Sequence, residues 1–454
     1  MQEFTAYEVL EASGGRFIKE AEAQIKDVVI DSRKVQSGSL FVAIKGERVD
    51  GNDYIEAAFE KGAAVCLCDK DVEVSGNGAL IKVEDSPLAL GKIANRYKMK
   101  YNVPTVAVTG SVGKTSTKDM IASVMSKLGD CLKTEGNFNN ELGMPLTIFR
   151  LEKNHKSVVL EMGMSAFGEI NYLADIARPD VAVITNIGMS HIENLGSREG
   201  ILKAKMEICD FFGSDNLLII NTDNDMLKTV DRNKGYKVLT YGIENPADYT
   251  AEDIKDYGIN GSTFTAVTPN GRFEVKLAVA GVHNVYNALS AIAVGEHFGI
   301  AQKDIVTALA EFELTAMRLT IEKHGGITLI NDCYNASPDS IKASLNVLGT
   351  EKGRRVAVLG DVLELGEFAE MAHHGIGRMC GGKADVLITA GENAKYIAEG
   401  AREAGLSEVI YRPTTDEAAS IAAEFVKDGD TVLVKASRGM HFEKVCEAIG
   451  EKAK

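Results

Sequence analysis

The stretch that most constrains this chain is PTVAVTGSVGKTSTKD, from Pro104 to Asp119. Val106, Ala107 and Val108 continue an apolar run short enough for a buried strand. Beyond it, Met120, Ile121, Val124, Met125 and Leu128 recur with helical spacing. A strand, a glycine loop and a helix in that order make a phosphate cradle. Gly110 and Gly113 let backbone N–H groups close around phosphate oxygens, and the helix N-terminus adds a partial positive charge. Lys114 reaches the outer phosphates and Thr115 offers a hydroxyl to magnesium. Thr109, Gly110, Ser111, Val112, Gly113, Lys114, Thr115 and Ser116 are thus the expected nucleotide triphosphate loop. The position five before Gly113 is Val108 and not glycine, so the loop is a shorter variant of the ordinary pattern.

A chain of 454 residues has room for two to four domains with their own cores. Its composition, 45% hydrophobic and 25% charged, is that of a globular protein. It has neither an apolar run long enough for a bilayer nor a basic-then-apolar leader, so a cytoplasmic location without membrane insertion is expected. The formal charge of -15 argues against a nucleic-acid partner, and anionic ligands must then be held by local groups. Of the seven cysteines, Cys66 and Cys68 are the close pair, and in AAVCLC they read as small core residues. Neither a disulfide framework nor zinc is expected.

Residues 1–83 give short strands and turns, with strands at Val28–Arg33 and Ser39–Gly46 and a helix near Tyr54–Lys61. Asp31, Ser32 and Arg33, and the loop GERVDGN from Gly46 through Asp50 to Asn52, fall at strand ends. They line a binding surface or are ordinary turns. Ser86 is the expected N-cap, with Pro87 at the first position, of a helix leading to the nucleotide strand. Thr134–Pro145 reads as an ordered loop in which Asn139 and Asn140 could bond a ligand. Ser157–Leu160 is a strand ending in Glu161, a carboxylate at the sheet's carboxyl edge and a candidate magnesium ligand. Asp180–Ile187 is another strand, with His191 in the loop after it. In the expected helix Ile201–Phe212, Lys203 and Lys205 are two apart, so at most one faces a site. A hairpin turns at Asn270-Gly271. In the helix Gly281–Gly299, Asn284 and Asn287 share a face, from which they read a base or ribose or simply cap.

From Leu319 onward strands and helices alternate, with strands at Thr328–Asp332, Arg355–Gly360, Asp385–Ala390, Val409–Arg412 and Thr431–Lys435. That is the signature of a doubly wound parallel sheet. No Gly-x-Gly-x-x-Gly supports a nicotinamide cofactor. The expected fold class is α/β in three domains. These are a small N-terminal α/β domain (1–83), a central P-loop-type ATPase domain with a mostly parallel sheet (84–318, with 84–102 as linker helix), and a C-terminal Rossmann-like domain (319–454).

Taken in order, TGSVGKTST, NFNNELGMP, LEMGM, TNIGMSHIENLGS followed by LKAKMEI, GVHNVYNA and MRLTIE resemble the Mur ligase family over essentially the whole chain. These are the ATP-dependent amide-forming enzymes of peptidoglycan precursor synthesis. DCYNASPDS, LGDVLELG, the pair His373-His374 and VLVKASRG are similar to the branch that adds D-alanyl-D-alanine to a UDP-N-acetylmuramoyl tripeptide. The Asp-Asn-Pro-Arg motif of the branch that adds a diamino acid is absent, and a kinase or GTPase would not account for the third domain.

The resemblance implies roles by position. Lys114 and the loop amides would bind ATP, Thr115 and Glu161 would hold one magnesium ion, and His191 would serve a second. Lys205 occupies the family's carbamylated lysine position, and Lys114, His191 and Lys205 are the expected catalytic set. Asn284 and Asn287 would contact adenosine, while Arg318 and Asp332 would reach ATP from the last domain. Asp31, Ser32, Arg33, Gly46 and Asp50 would hold the UDP sugar, and Asn139, Asn140, Tyr334, Asn335 and Ser337 would contact the substrates. The implied reaction passes through an acyl phosphate. The implied partners are the nucleotide-linked tripeptide and the dipeptide, with the protein acting as a monomer.

Overall fold

Apolar runs such as Val65–Cys68 and Ile327–Asn331 are buried along their whole length, as parallel strands covered on both faces must be. The computed structural model describes residues 4–452 and is a mixed α/β structure with mostly parallel strands. It divides into two compact units, one made of residues 1–109, 128–182 and 206–216 and the other of 110–127, 183–205 and 217–454. No helix among the described residues is long and apolar enough to cross a membrane.

The first unit opens with a helix, Ala6–Ser13, closed at its start by a capping box between Thr5 and Glu8. Five strands follow in the spatial order Arg16–Lys19, Ala79–Lys82, Val65–Cys68, Ser39–Val42, Asp27–Val29. All neighbours are parallel except the antiparallel first pair. Asp27–Val29 and Ser39–Val42 lie side by side in parallel, so the segments after them, with Asp31 and Gly46, leave the same edge of the sheet. Cys66 and Cys68 sit in the core, as their setting implied. In the same unit Thr105–Thr109, Ser157–Glu161 and Cys131–Lys133 form a parallel trio.

The second unit carries the helix Lys114–Met125, the helix Arg198–Met206 apart from its last residue, and the strands Leu217–Asn221, Lys237–Gly242 and Tyr249–Asp256, paired in parallel. The hairpin of Ser262–Thr268 and Gly271–Leu277 extends them. Its last sheet has the order Thr320–His324, Ile327–Asn331, Thr431–Lys435, Arg355–Gly360, Val386–Ala390, Glu408–Arg412. Only the Thr320–His324 edge is antiparallel. That is the doubly wound sheet expected from the alternation. Ser337 caps the helix Pro338–Thr350, with Pro338 in its first turn.

Several local expectations are corrected. The strand read as Val28–Arg33 stops at Val29, because the Asp31 side chain accepts the Arg33 N–H and starts a 3-10 turn over Ser32–Lys34. The Ser39–Gly46 strand ends at Val42. Asp85 and not Ser86 caps the helix Ser86–Lys98, its carboxylate accepting the Leu88 N–H at 2.7 Å. Thr134–Pro145 is not loop throughout: Gly143, Met144 and Pro145 already belong to the helix Gly143–Ile148. The helix expected over Ile201–Phe212 begins earlier, at Arg198, and ends at Met206. The hairpin turns on Pro269 and Asn270, because Thr268 pairs with Gly271 across it.

Candidate active site

The phosphate loop begins at Gly110, whose φ of 151° and close packing both require glycine, since a Cβ there would lie 1.9 Å from Thr185 Oγ1. Gly113, at φ 82°, is the left-handed residue from which the helix Lys114–Met125 springs. The Lys114 ammonium folds back and donates to the Gly110 carbonyl at 2.8 Å. Thr115 is buried in the first turn, and Ser116 beside it is half-buried.

Asn186 fixes the loop's shape. Its carbonyl accepts the Ser111 N–H at 3.0 Å, its side-chain oxygen accepts the Val112 N–H at 2.9 Å, and its amide donates to the Val112 carbonyl at 3.1 Å. Thr185 Oγ1 donates to the same carbonyl at 2.6 Å, and Ser111 Oγ accepts the Gly188 N–H at 2.9 Å. Neither Thr185 nor Asn186 was singled out from sequence. The signal available was their place in TNIGMSH, at the end of the strand Val181–Ile184.

Lys205 is 2% exposed and Lys203 is exposed, so the helix turns one of the two lysines inward. Burial and the neighbouring Lys114 charge push the Lys205 ammonium well below its usual range. His191 sits at φ 63°, and burial moves its imidazole to lower pKa against the pull of Glu364. Its Nδ1 is 2.7 Å from Glu364 Oε2, in contact but not aligned for a hydrogen bond. Glu364, in LGDVLELG, was not assigned a role from sequence. Arg198, paired with Asp225 at 2.7 Å, donates to the Ile187 carbonyl at 2.8 Å and so pins the start of the His191 loop.

Asn284 and Asn287 share a buried face, as their spacing implied, and their amides are bonded within the protein. Asn287 donates to Asn284 and accepts from Thr117 Oγ1, both at 2.9 Å, while Asn284 donates to the Ala280 carbonyl at 2.8 Å. They tie the helix His283–His297 to the phosphate-loop helix. Asp332 is also a hub, accepting the Leu319 N–H at 3.1 Å, the Lys435 ammonium at 2.6 Å and Ser344 Oγ at 2.5 Å. Arg318 lies over the Tyr334 ring, 4.2 Å from its centroid. Asn335 accepts the Ala336 and Arg438 N–H groups, and Ser337 serves as helix cap.

In the first unit Glu161 is 3% exposed at the end of its strand, and its Oε1 accepts Asn139 Nδ2 at 2.8 Å. The Gly163 N–H donates to the Asn139 carbonyl at 2.9 Å, so residue 139 is held on both sides. Thr109 Oγ1 donates to the Met162 carbonyl at 2.9 Å, and Asn140 accepts the Gly143 N–H at 2.9 Å. At the N-terminal sheet edge, Asp31 grips its neighbour Arg33 at 2.9 Å, and this guanidinium holds the carboxyl down to about 2. Asp50 is likewise held to about 2, by Lys70 and then Asn52, and the Gly46 N–H closes its loop on the Val49 carbonyl at 2.9 Å.

A divalent ion would find few ligands here. Among the described residues no group of three or more His, Cys, Asp or Glu side chains could hold a metal. The buried Glu161 carboxylate in the first unit and the buried Thr115 hydroxyl in the second are each oxygen donors of the kind magnesium takes, an ion that keeps water and draws much of its coordination from substrate phosphates.

Three family models match: "Mur ligase family, catalytic domain" over residues 24–98, "Mur ligase middle domain" over 108–295, and "Mur ligase, glutamate ligase domain" over 317–438. The UDP-N-acetylmuramoyl-tripeptide--D-alanyl-D-alanine ligase of Bacillus subtilis is 40% identical over 433 residues, 94% of this chain and 93% of its own. A crystal structure of MurF from Acinetobacter baumannii superposes with a TM-score of 0.93 at 31% identity, covering 99% of both chains. The MurF ligase of Thermotoga maritima, in complex with ADP, gives a TM-score of 0.85 at 30% identity, over 94% of this chain and 98% of that one.

Proposed function

Because the chain belongs to the Mur ligase family, we propose that it joins D-alanyl-D-alanine to a UDP-N-acetylmuramoyl tripeptide, with ATP converted to ADP and phosphate. The observation that carries this reading is a phosphate loop whose Lys114 adjoins a fully buried Lys205 and His191, in a chain matched along its length by ligases of that name. The three parts are proposed to divide the work: 1–83 for the UDP sugar, 84–318 for ATP, and 319–454 for the dipeptide. The tripeptide is nucleotide-linked and the dipeptide is a small free zwitterion, so both are soluble and the reaction is proposed to run in the cytoplasm.

A carboxylate is a poor electrophile. Its oxygen attacks the γ-phosphorus of ATP, ADP leaves, and the acyl phosphate that results is open to the dipeptide amine. That amine, having lost a proton, adds to the acyl carbon, and the tetrahedral intermediate expels inorganic phosphate to leave the amide. Lys114 and the loop N–H groups offset the charge where carboxylate and triphosphate meet. Asn186 keeps those groups aimed before ATP arrives, which is positioning. Glu161, oriented by Asn139, and Thr115 and His191 are proposed magnesium ligands. Magnesium, when bound, neutralises phosphate charge. Arg318, Asp332, Asn284 and Asn287 are proposed to complete the ATP site.

Lys205 is proposed to be a carbamate. Its neutral amine attacks carbon dioxide, a C–N bond forms and a proton leaves to water, so a cation becomes an oxygen ligand. Burial beside Lys114 supports this, because an ammonium there is repelled and poorly solvated.

The reading is tested by phosphate release from purified protein with ATP, magnesium and UDP-N-acetylmuramoyl tripeptide, varying the amine. D-Alanyl-D-alanine should support turnover; lysine, diaminopimelate and glutamate should not. Turnover with a free diamino acid but not with the dipeptide would overturn it. In the same assay Asn186→Ala should lower kcat/KM for ATP by about 10- to 100-fold with the melting temperature little changed, since a displaced reactive group costs about that much. An unchanged ATP dependence would remove Asn186 from the account.

A further inference from the structure

A cavity of about 350 Å³ opens in the first unit, and its wall includes Asn140 and Gly163, the first next to Asn139 and the second two residues past Glu161. Asn139 bonds both Glu161 and Gly163, so this wall is continuous with the backbone that holds the proposed magnesium carboxylate. Phe167, Tyr172 and Leu173 give the cavity apolar sides. Asp85, Glu141 and Glu169 give it three carboxylates, and no lysine, arginine or histidine lines it. Asp85 and Glu169 each use an oxygen on a local N–H, those of Leu88 and Ser165, and both residues are exposed. The negative field is felt by Tyr172, whose hydroxyl is pushed up to about 12 by burial and then by Asp85, Glu141 and Asp175.

Apolar sides with an anionic mouth suit an alkyl stem ending in an ammonium, and little else in the proposed reaction has that form. We infer that this cavity receives the amine-bearing side chain of the tripeptide's third residue, whose own carboxylate is activated beside Glu161. The inference rests on the proposed ligase reading and adds a determinant of the acyl substrate to it. A free carboxylate or a neutral side chain at that position would lose the attraction, and the dipeptide and ATP would be unaffected.

The test compares KM for UDP-N-acetylmuramoyl tripeptides ending in lysine or diaminopimelate, each with its side-chain ammonium free or acetylated, at saturating ATP and D-alanyl-D-alanine. For the tripeptide that is turned over, acetylation should raise KM about tenfold with kcat little changed. The double variant Glu141→Gln with Glu169→Gln keeps the acceptor for Ser165. It should raise KM of the free-amine substrate by a similar factor and leave that of the acetylated one alone. Equal KM for the free and acetylated substrates of the wild-type protein, or a variant that weakens both alike, would overturn the inference. Absence of phosphate release with every tripeptide would instead strike the ligase reading on which it rests.

Discussion

Lys205→Ala is expected to lower turnover by at least about 100-fold while the protein stays folded, because it removes the proposed carbamate ligand. Partial recovery is expected with short carboxylic acids, which can place an oxygen anion where the carbamate stood. Lys203 is the internal control: it lies on the same helix but is exposed, and Lys203→Ala should leave turnover near wild type. The same position can be followed without activity. Labelled bicarbonate should give one carbamate carbon signal by NMR in the wild type and none in Lys205→Ala. An ordinary solvated lysine would predict little effect at either position, and full activity of Lys205→Ala would end the carbamate proposal.

Lys114→Ala should be the more severe change, about 10³-fold or greater in kcat, since the ammonium is proposed to act where two anions are brought together. Its loss also frees the Gly110 carbonyl it now binds at 2.8 Å, so ATP affinity should fall as well. Thermal melting without nucleotide should change little, because the side chain is only half-buried and its bond to Gly110 is to a loop carbonyl. Wild-type turnover at saturating ATP and magnesium would show that another group does this work.

The parallel sheet of the last third was legible because its strands are unbroken apolar runs separated by helical spacing. That at most one of Lys203 and Lys205 turns inward followed from helical geometry, and the family position pointed to Lys205, the buried one. Boundaries were legible only where a side chain declared them. Pro87 marked a helix start correctly, whereas Asp85 took the cap from Ser86 because its carboxylate is the side chain that reaches the Leu88 N–H. Thr5 and Glu8 carry a capping-box signal for the first helix, where the expectation was of short strands and turns.

The candidate site was legible in its proposed reactive groups and not in the residues packed around them. Lys114, Glu161 and His191 announce themselves by chemistry and by their place after a strand or loop. Asn186, Arg198 and Glu364 act through partners distant in sequence: Asn186 on Val112, Arg198 on Asp225, and Glu364 against His191. Spacing along the chain does not reveal such pairs. Asn284 and Asn287 show the reverse case, where a correctly predicted shared face turned out to be occupied by internal hydrogen bonds.

The central claim, ligation through an acyl phosphate, is tested most directly by oxygen transfer. The tripeptide is prepared with oxygen-18 in the carboxylate of its third residue and turned over with ATP, magnesium and D-alanyl-D-alanine. The inorganic phosphate and the peptide product are then examined by mass spectrometry. The account predicts one labelled oxygen in each phosphate released and one retained in the new amide, with ADP as the nucleotide product. Unlabelled phosphate alongside ligated product, or AMP and pyrophosphate in place of ADP and phosphate, would contradict it.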